Sequence, residues 1–173
     1  MPKLPSFPPR LPSGALERAG VRPGEKVVAW GRCPSADSGA GAFAVATDRA
    51  LYLEDGARRV AWSSMGKATW TEPVLTFTAV DQRGRIGSPT AVELAEPGDL
   101  PAAVHDRVTA SVVISQRVDL LGRGSALMVA RRDSDDAVIR WSVVFDAGLD
   151  PSDPSLRQAA DEALVNLRAA LGI

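Results

Sequence analysis

A chain of 173 residues with 45% hydrophobic and 24% charged positions has the size and make-up of one globular domain, and it is long enough to bury roughly 70% of its unfolded surface. A net charge of −1 supplies neither a broad basic field nor an acidic tail, which argues against bulk electrostatic binding to nucleic acid or anionic membrane. Cys33 is the single cysteine, so an intramolecular disulfide and a cysteine zinc cluster are excluded; with no apolar run of signal or membrane-span length, the expected location is the reducing cytoplasm.

Pro2, Pro5, Pro8, Pro9 and Pro12 block helix and ladder pairing, so residues 1–12 read as an extended arm that buries Leu4, Phe7 and Leu11. A ligand for a proline-recognition module is the alternative for that arm. Ser13 is placed to cap a short helix over 13–19, which Gly20 ends. Residues 1–23 are therefore an arm and short helix. Residues 24–173 form one α+β domain in three blocks: strands over 24–96, a helix and more strands over 97–150, and a final helix over 151–173.

The region 24–80 reads as short strands broken by tight turns. After a first strand at 26–33, Phe43, Val45 and Thr47 alternate with alanines, and Leu51 and Leu53 alternate with Ala50, Tyr52 and Glu54. That is the period of half-buried strands, and Asp48-Arg49 reverses the chain, so a hairpin with its apolar side chains on one face is expected. Asp55-Gly56 is the next turn. Val60 and Trp62 begin a strand, residues 63–66 break it, Ala68 and Trp70 continue, and Pro73 stops the run. Strands at 74–80 and 90–95 flank a polar turn at 82–88 that carries Arg83 and Arg85, and such close spacing predicts a meander. The glycine-bearing loop at 34–42 lacks Lys, a Gly-Lys-Ser/Thr and a following helix, so it reads as a surface hairpin loop rather than a nucleotide cradle.

Asp99 is placed to cap a helix whose Leu100, Val104 and Val108 fall on one face, with Pro101 in the first turn. Near 107–110 the period changes to two, giving a strand to Leu120 with one wet face. A strand at 126–132, a charged turn through Asp133, Asp135 and Asp136, and a strand at 138–146 follow; the last presents Ile139, Trp141, Val143 and Phe145 on one face. Asp150-Pro151 and Asp153-Pro154 both offer a cap and a proline start. The stripe of Leu156, Ala160, Ala163, Leu164, Leu167, Ala170 and Leu171, stopped by Gly172, should pack across a sheet face or barrel mouth.

Reactive groups are sparse. His105, the only histidine, reads as an exposed helix residue, and Cys33 at a strand end reads as a small buried hydrophobe. Asp133, Asp135 and Asp136 lack the glycine and distal glutamate of an EF-hand and read as a solvated turn. No catalytic, metal or cofactor residues are assigned. Arg58, Arg59, Arg83 and Arg85 are the candidate ligand-binding residues, and with Arg131 and Arg132 they suit phosphate or acidic partners if their strands neighbour one another; dispersed solubilising charge is the alternative. Trp30, Trp62, Trp70 and Trp141 are expected in strands as core anchors.

GEKVVAW at 24–30, VATDRALYL at 45–53, and Val60-Ala61-Trp62 with Ala68-Thr69-Trp70 resemble the short bacterial pleckstrin-homology-like domains. In those, GE before an apolar strand, a T-D/N-R-x-L-Y hairpin and an I-x-W/Y strand recur. The chain also resembles a group of actinobacterial proteins that share RVTASVV, here 107–113, and D-x-G-L-D-P-x-D-P, here 146–154. The resemblance implies a pleckstrin-homology-like antiparallel β-barrel or split barrel with a C-terminal amphipathic helix, and no established activity. Members that bind phosphoinositides carry basic residues around the first hairpin, whereas Asp37 and small residues stand there in this chain. The expected function is that of a non-enzymatic binding or scaffold protein whose partner is another protein, with no nucleic acid. Arginine-dependent binding of an anionic lipid or phosphate ligand, with weak peripheral membrane contact, is the alternative.

Overall fold

The computed structural model describes residues 11–34, 42–53 and 58–172. The proline arm before Leu11, most of the loop at 34–42 and the Asp55-Gly56 turn lie outside the described residues. The elements are α1 (Ala15–Arg18), β1 (Val27–Arg32), β2 (Phe43–Thr47), β3 (Ala50–Leu53), β4 (Arg58–Ala61), a single 3-10 turn (Trp62–Ser64), β5 (Met65–Thr71), β6 (Val74–Val80), β7 (Ile86–Glu93), α2 (Leu100–Ala110), β8 (Val112–Asp119), β9 (Ser125–Arg132), β10 (Ile139–Phe145) and α3 (Pro154–Leu171). Chain neighbours pair antiparallel throughout, giving sheets β1-β2-β3-β4, β5-β6-β7 and β8-β9-β10. The protein is therefore α+β, with three antiparallel sheets and a C-terminal helix.

No closed barrel is found among the described strands, which corrects the closed form of the expected barrel. The 3-10 turn takes the chain out of the first sheet before the second begins, and α2 separates the second from the third. Between β1 and the end of the second sheet, one bridge joins Arg32 and Glu96. The same turn corrects the placement of Trp62. Its buried indole Nε1–H donates to the Thr47 carbonyl at 3.1 Å, satisfying the polar edge of a large ring that lies inside the core rather than in a strand.

Sheets one and two share a core in which Ala44, Ala46, Leu51 and Val60 meet Met65, Leu75 and Phe77. Leu100, Val104 and Val108 of α2 close it, as their spacing predicts, although Asp99 makes no side-chain capping bond. A second core lies between the third sheet and α3, where Leu120, Met128 and Val143 meet Leu156, Ala160 and Leu167. The amphipathic C-terminal helix thus covers a sheet face, although Ala170 and Leu171 at the end of its expected stripe are exposed, and it is α2 that closes the first core. Asp153, rather than Asp150, caps α3 by accepting from the Ser155 and Leu156 N–H groups.

The β2–β3 hairpin departs from a one-sided pattern because every residue of both strands is buried. Ala44 and Ala46 face the α2 core, while Phe43, Val45 and Tyr52 face Ala15 and Ala19 around α1. The small alanines let α1 lie close to the outer face, and burial of side chains like Phe43 and Val45 is worth about 1.5–3 kcal/mol each. Gly14, not Ser13, occupies the cap position of α1. In the hairpin turn, the Thr47 hydroxyl accepts from the Arg49 and Ala50 N–H groups, and Asp48 instead receives the Lys26 N–H.

Candidate functional site

Polar side chains fasten the third sheet to the first two, and they account for several of the charged residues. The Glu25 carboxylate, 3% exposed, accepts from Thr47 Oγ1 at 2.5 Å, Tyr52 Oη at 2.8 Å and Arg59 Nη2 at 3.1 Å. Burial pushes this carboxyl upward, but the three hydrogen bonds outweigh it and hold the group below the usual carboxylate range. Arg59 also pairs with Asp135 at 2.9 Å, and Arg22 and Arg49 approach that same aspartate at 3.6 and 3.7 Å.

Asp133 is buried at 5% exposure, which corrects the expectation of a solvated turn. Its Oδ2 accepts from Ser63 Oγ at 2.6 Å and Arg140 Nε at 2.8 Å, and its Oδ1 accepts from the Asp135 N–H. Burial acts to raise its pKa, but these bonds prevail and lower it to about 2. Arg131, also buried, leaves the surface patch the sequence suggests and donates to the Val108 carbonyl, Ser111 Oγ and the Gly66 carbonyl at 2.7, 2.9 and 2.6 Å, so it pins the C-terminus of α2 to β5. Burial lowers its pKa, and its Nε has no hydrogen-bond partner among the described residues.

The four candidate arginines separate into two pairs. On β4, Arg58 donates to Thr90 Oγ1 and lies 5.9 Å from the Phe77 ring centroid, while Arg59 is committed to Glu25 and Asp135. Arg83 and Arg85 lie in the turn between β6 and β7, where they line one cleft together. Asp81 shapes this turn: its Oδ1 accepts the N–H groups of Arg83 and Arg85, and its Oδ2 accepts Arg85 Nε at 2.8 Å. Led by the Arg85 N–H, these bonds hold the Asp81 carboxyl below its ordinary value.

Gly84 sets the position of the turn. At φ 75° it adopts a left-handed backbone, and a Cβ there would stand 2.5 Å from the Trp141 carbonyl oxygen. Its own carbonyl accepts the Val143 N–H at 3.2 Å, so the turn is pressed onto the edge of β10. An open cleft of about 830 Å³ lies on one side, lined by Arg83, Arg85 and Arg157 with Asp81 and Asp161. A smaller pocket of about 350 Å³ adjoins it, sharing Val80, Asp81 and Arg83 and lined also by Ser64, Arg140, Trp141, Leu164 and Arg168. Arg157 is steadied by donating to the Pro151 carbonyl at 2.8 Å and by lying 5.5 Å over the Phe145 ring. Among the described residues, Arg83 and Arg168 enter no ion pair. Sequence reasoning missed Arg140, Arg157 and Arg168, because only the docking of the turn brings them beside Arg83.

His105 is exposed on α2 and lines a shallow cleft with Trp70, Asp99 and Asp106. Thr69 is the hydroxyl in that lining, and no hydrogen bond ties His105 to it or to either aspartate among the described residues. Cys33 is half-buried rather than fully buried; it lines a small pocket with Leu53 and Val92. No group of three His, Cys, Asp or Glu side chains able to hold a metal ion occurs among the described residues. No described helix is long and apolar enough to cross a membrane. Comparisons with protein-family models, curated proteins and solved structures give no match.

Proposed function

We propose that this protein is a non-enzymatic binding or scaffold module on a pleckstrin-homology-like split barrel, and that it holds another protein through an acidic segment in the cleft between the β6–β7 turn and α3. The split-barrel half of this reading is supported by two antiparallel meanders of four and three strands on one core, a helix packed across them, and the bridge between Arg32 and Glu96. The functional half rests on one observation: Arg83, Arg85 and Arg157, from a turn and a distant helix, line the same open cleft. Charge-assisted bonds from guanidinium forks to carboxylates are strong and directional. Asp81 and Asp161 line the same cleft. Cations set at fixed points among lining carboxylates suit a discrete acidic segment better than a bilayer surface of one sign. Arg58 and Arg59, on which lipid or phosphate binding was also expected to depend, do not line this cleft.

Site-specific photo-cross-linking from Ser152, at the cleft rim, in cells of the native host tests this. A discrete adduct is expected with a protein bearing an acidic segment, and its purified form should bind the Arg157→Glu variant at least tenfold more weakly. Absence of an adduct, or equal affinity for R157E, would reject the proposal; salt-sensitive capture by anionic liposomes without a protein adduct would favour the lipid alternative.

A further inference from the structure

We infer that the smaller pocket, which adjoins the open cleft and shares Arg83 with it, binds a small planar organic anion, with its charged end between Arg83 and Arg168 and its flat apolar part against Trp141. At about 350 Å³ the pocket falls at the small end of the range for ligand sites, too small for a folded partner and large enough for a single-ring compound. Its walls come from four places in the chain: the 3-10 turn, the β6–β7 turn, the edge of β10, and α3. Trp141 and Leu164 supply the apolar wall, and both are partly buried and pack against the core beneath α3, so that wall is held by packing.

The electrostatics favour a negative guest. Of the lining cations, Arg140 is neutralised by Asp133 and Asp136. Arg83 and Arg168 have no ion pair among the described residues. The lining carboxylate, Asp81, has both oxygens turned onto the Arg83 and Arg85 N–H groups and the Arg85 guanidinium, so its charge is engaged within the turn. Two uncompensated guanidiniums beside an aromatic wall match a carboxylate or phosphomonoester carried on a ring. This site takes a ligand class different from that of the open cleft, and Arg168 does not line that cleft.

Titration calorimetry on the full chain with phenyl phosphate, benzoate, benzyl alcohol and inorganic phosphate tests the inference. Saturable binding of phenyl phosphate or benzoate is expected, weakened about tenfold or more in Arg168→Gln, the loss of one charge-assisted bond. R168Q, at an exposed position on α3, should keep the wild-type melting curve, and Arg58→Gln should bind as wild type. Equal binding of benzyl alcohol would overturn the role of charge, and equal binding of inorganic phosphate would overturn the role of the ring. No saturable binding, or unchanged affinity in R168Q, would overturn the site itself. Cross-linking from Ser152 should be unaffected by R168Q, so the two proposals fail separately.

Discussion

Replacing Gly84 by alanine tests the contact that gathers the arginines. Three effects combine. A non-glycine residue at φ 75° costs about 1–2 kcal/mol. A Cβ placed 2.5 Å from the Trp141 carbonyl oxygen must lift the turn, which breaks the Gly84 carbonyl to Val143 N–H bond and costs about 1 kcal/mol more. The lower entropy of the unfolded alanine chain returns about 0.4–1 kcal/mol. The net loss is about 2 kcal/mol, equivalent to a fall of about 4–8 °C in Tm for a chain of this size. Urea unfolding read by tryptophan fluorescence measures it directly. Gly84→Asn separates the causes, since asparagine tolerates the left-handed backbone but carries the same Cβ; if the clash dominates, it should lose nearly as much as alanine. A G84A variant within about 0.5 kcal/mol of wild type would refute the tight docking of this turn on β10.

Two other substitutions probe the joints between sheets. Because Asp133 is held near a pKa of about 2, below its unfolded value, it contributes stability above about pH 4 that is lost as the pH falls towards 2, about 2 kcal/mol in all. Urea midpoints at pH 7, 4, 3 and 2 should therefore show the gap between wild type and Asp133→Asn closing over that window; a gap independent of pH would count against the charged bonds to Ser63 and Arg140. Arg131→Met should cost about 1–3 kcal/mol, because the Gly66 carbonyl, at the bulge between Met65 and Lys67, loses its buried donor. Denaturant stability equal to wild type would mean that this guanidinium does not hold α2 to β5.

What could be read from the letters was local. Leu100, Val104 and Val108 marked the α2 face, and the Asp153-Pro154 start with its apolar stripe marked α3, because both signals repeat within a few residues. Alternation identified β2 and β3 as strands but could not say that both faces are buried. That depends on Ala15 and Ala19 arriving from the N-terminal side to cover Phe43 and Val45. Trp62 reads like its strand neighbours, and its place in a turn follows from a bond to the distant Thr47 carbonyl. The candidate site was half legible. Arg83 and Arg85 were visible as turn cations, but Arg157 and Arg168 become their neighbours only through the contact of Gly84 with Trp141. Arg59 looked free because nothing local shows that Glu25 and Asp135 converge on it.

The arginine cleft itself is tested most directly by two-dimensional NMR of the arginine Nε–H groups while an acidic hexaglutamate peptide is added to the protein at low salt. Shifts concentrated on Arg83, Arg85 and Arg157, with Arg58 and Arg59 unmoved, are the expected result. Shifts on Arg58 and Arg59, or uniform small changes over all the arginines, would contradict a recognition surface at the β6–β7 turn.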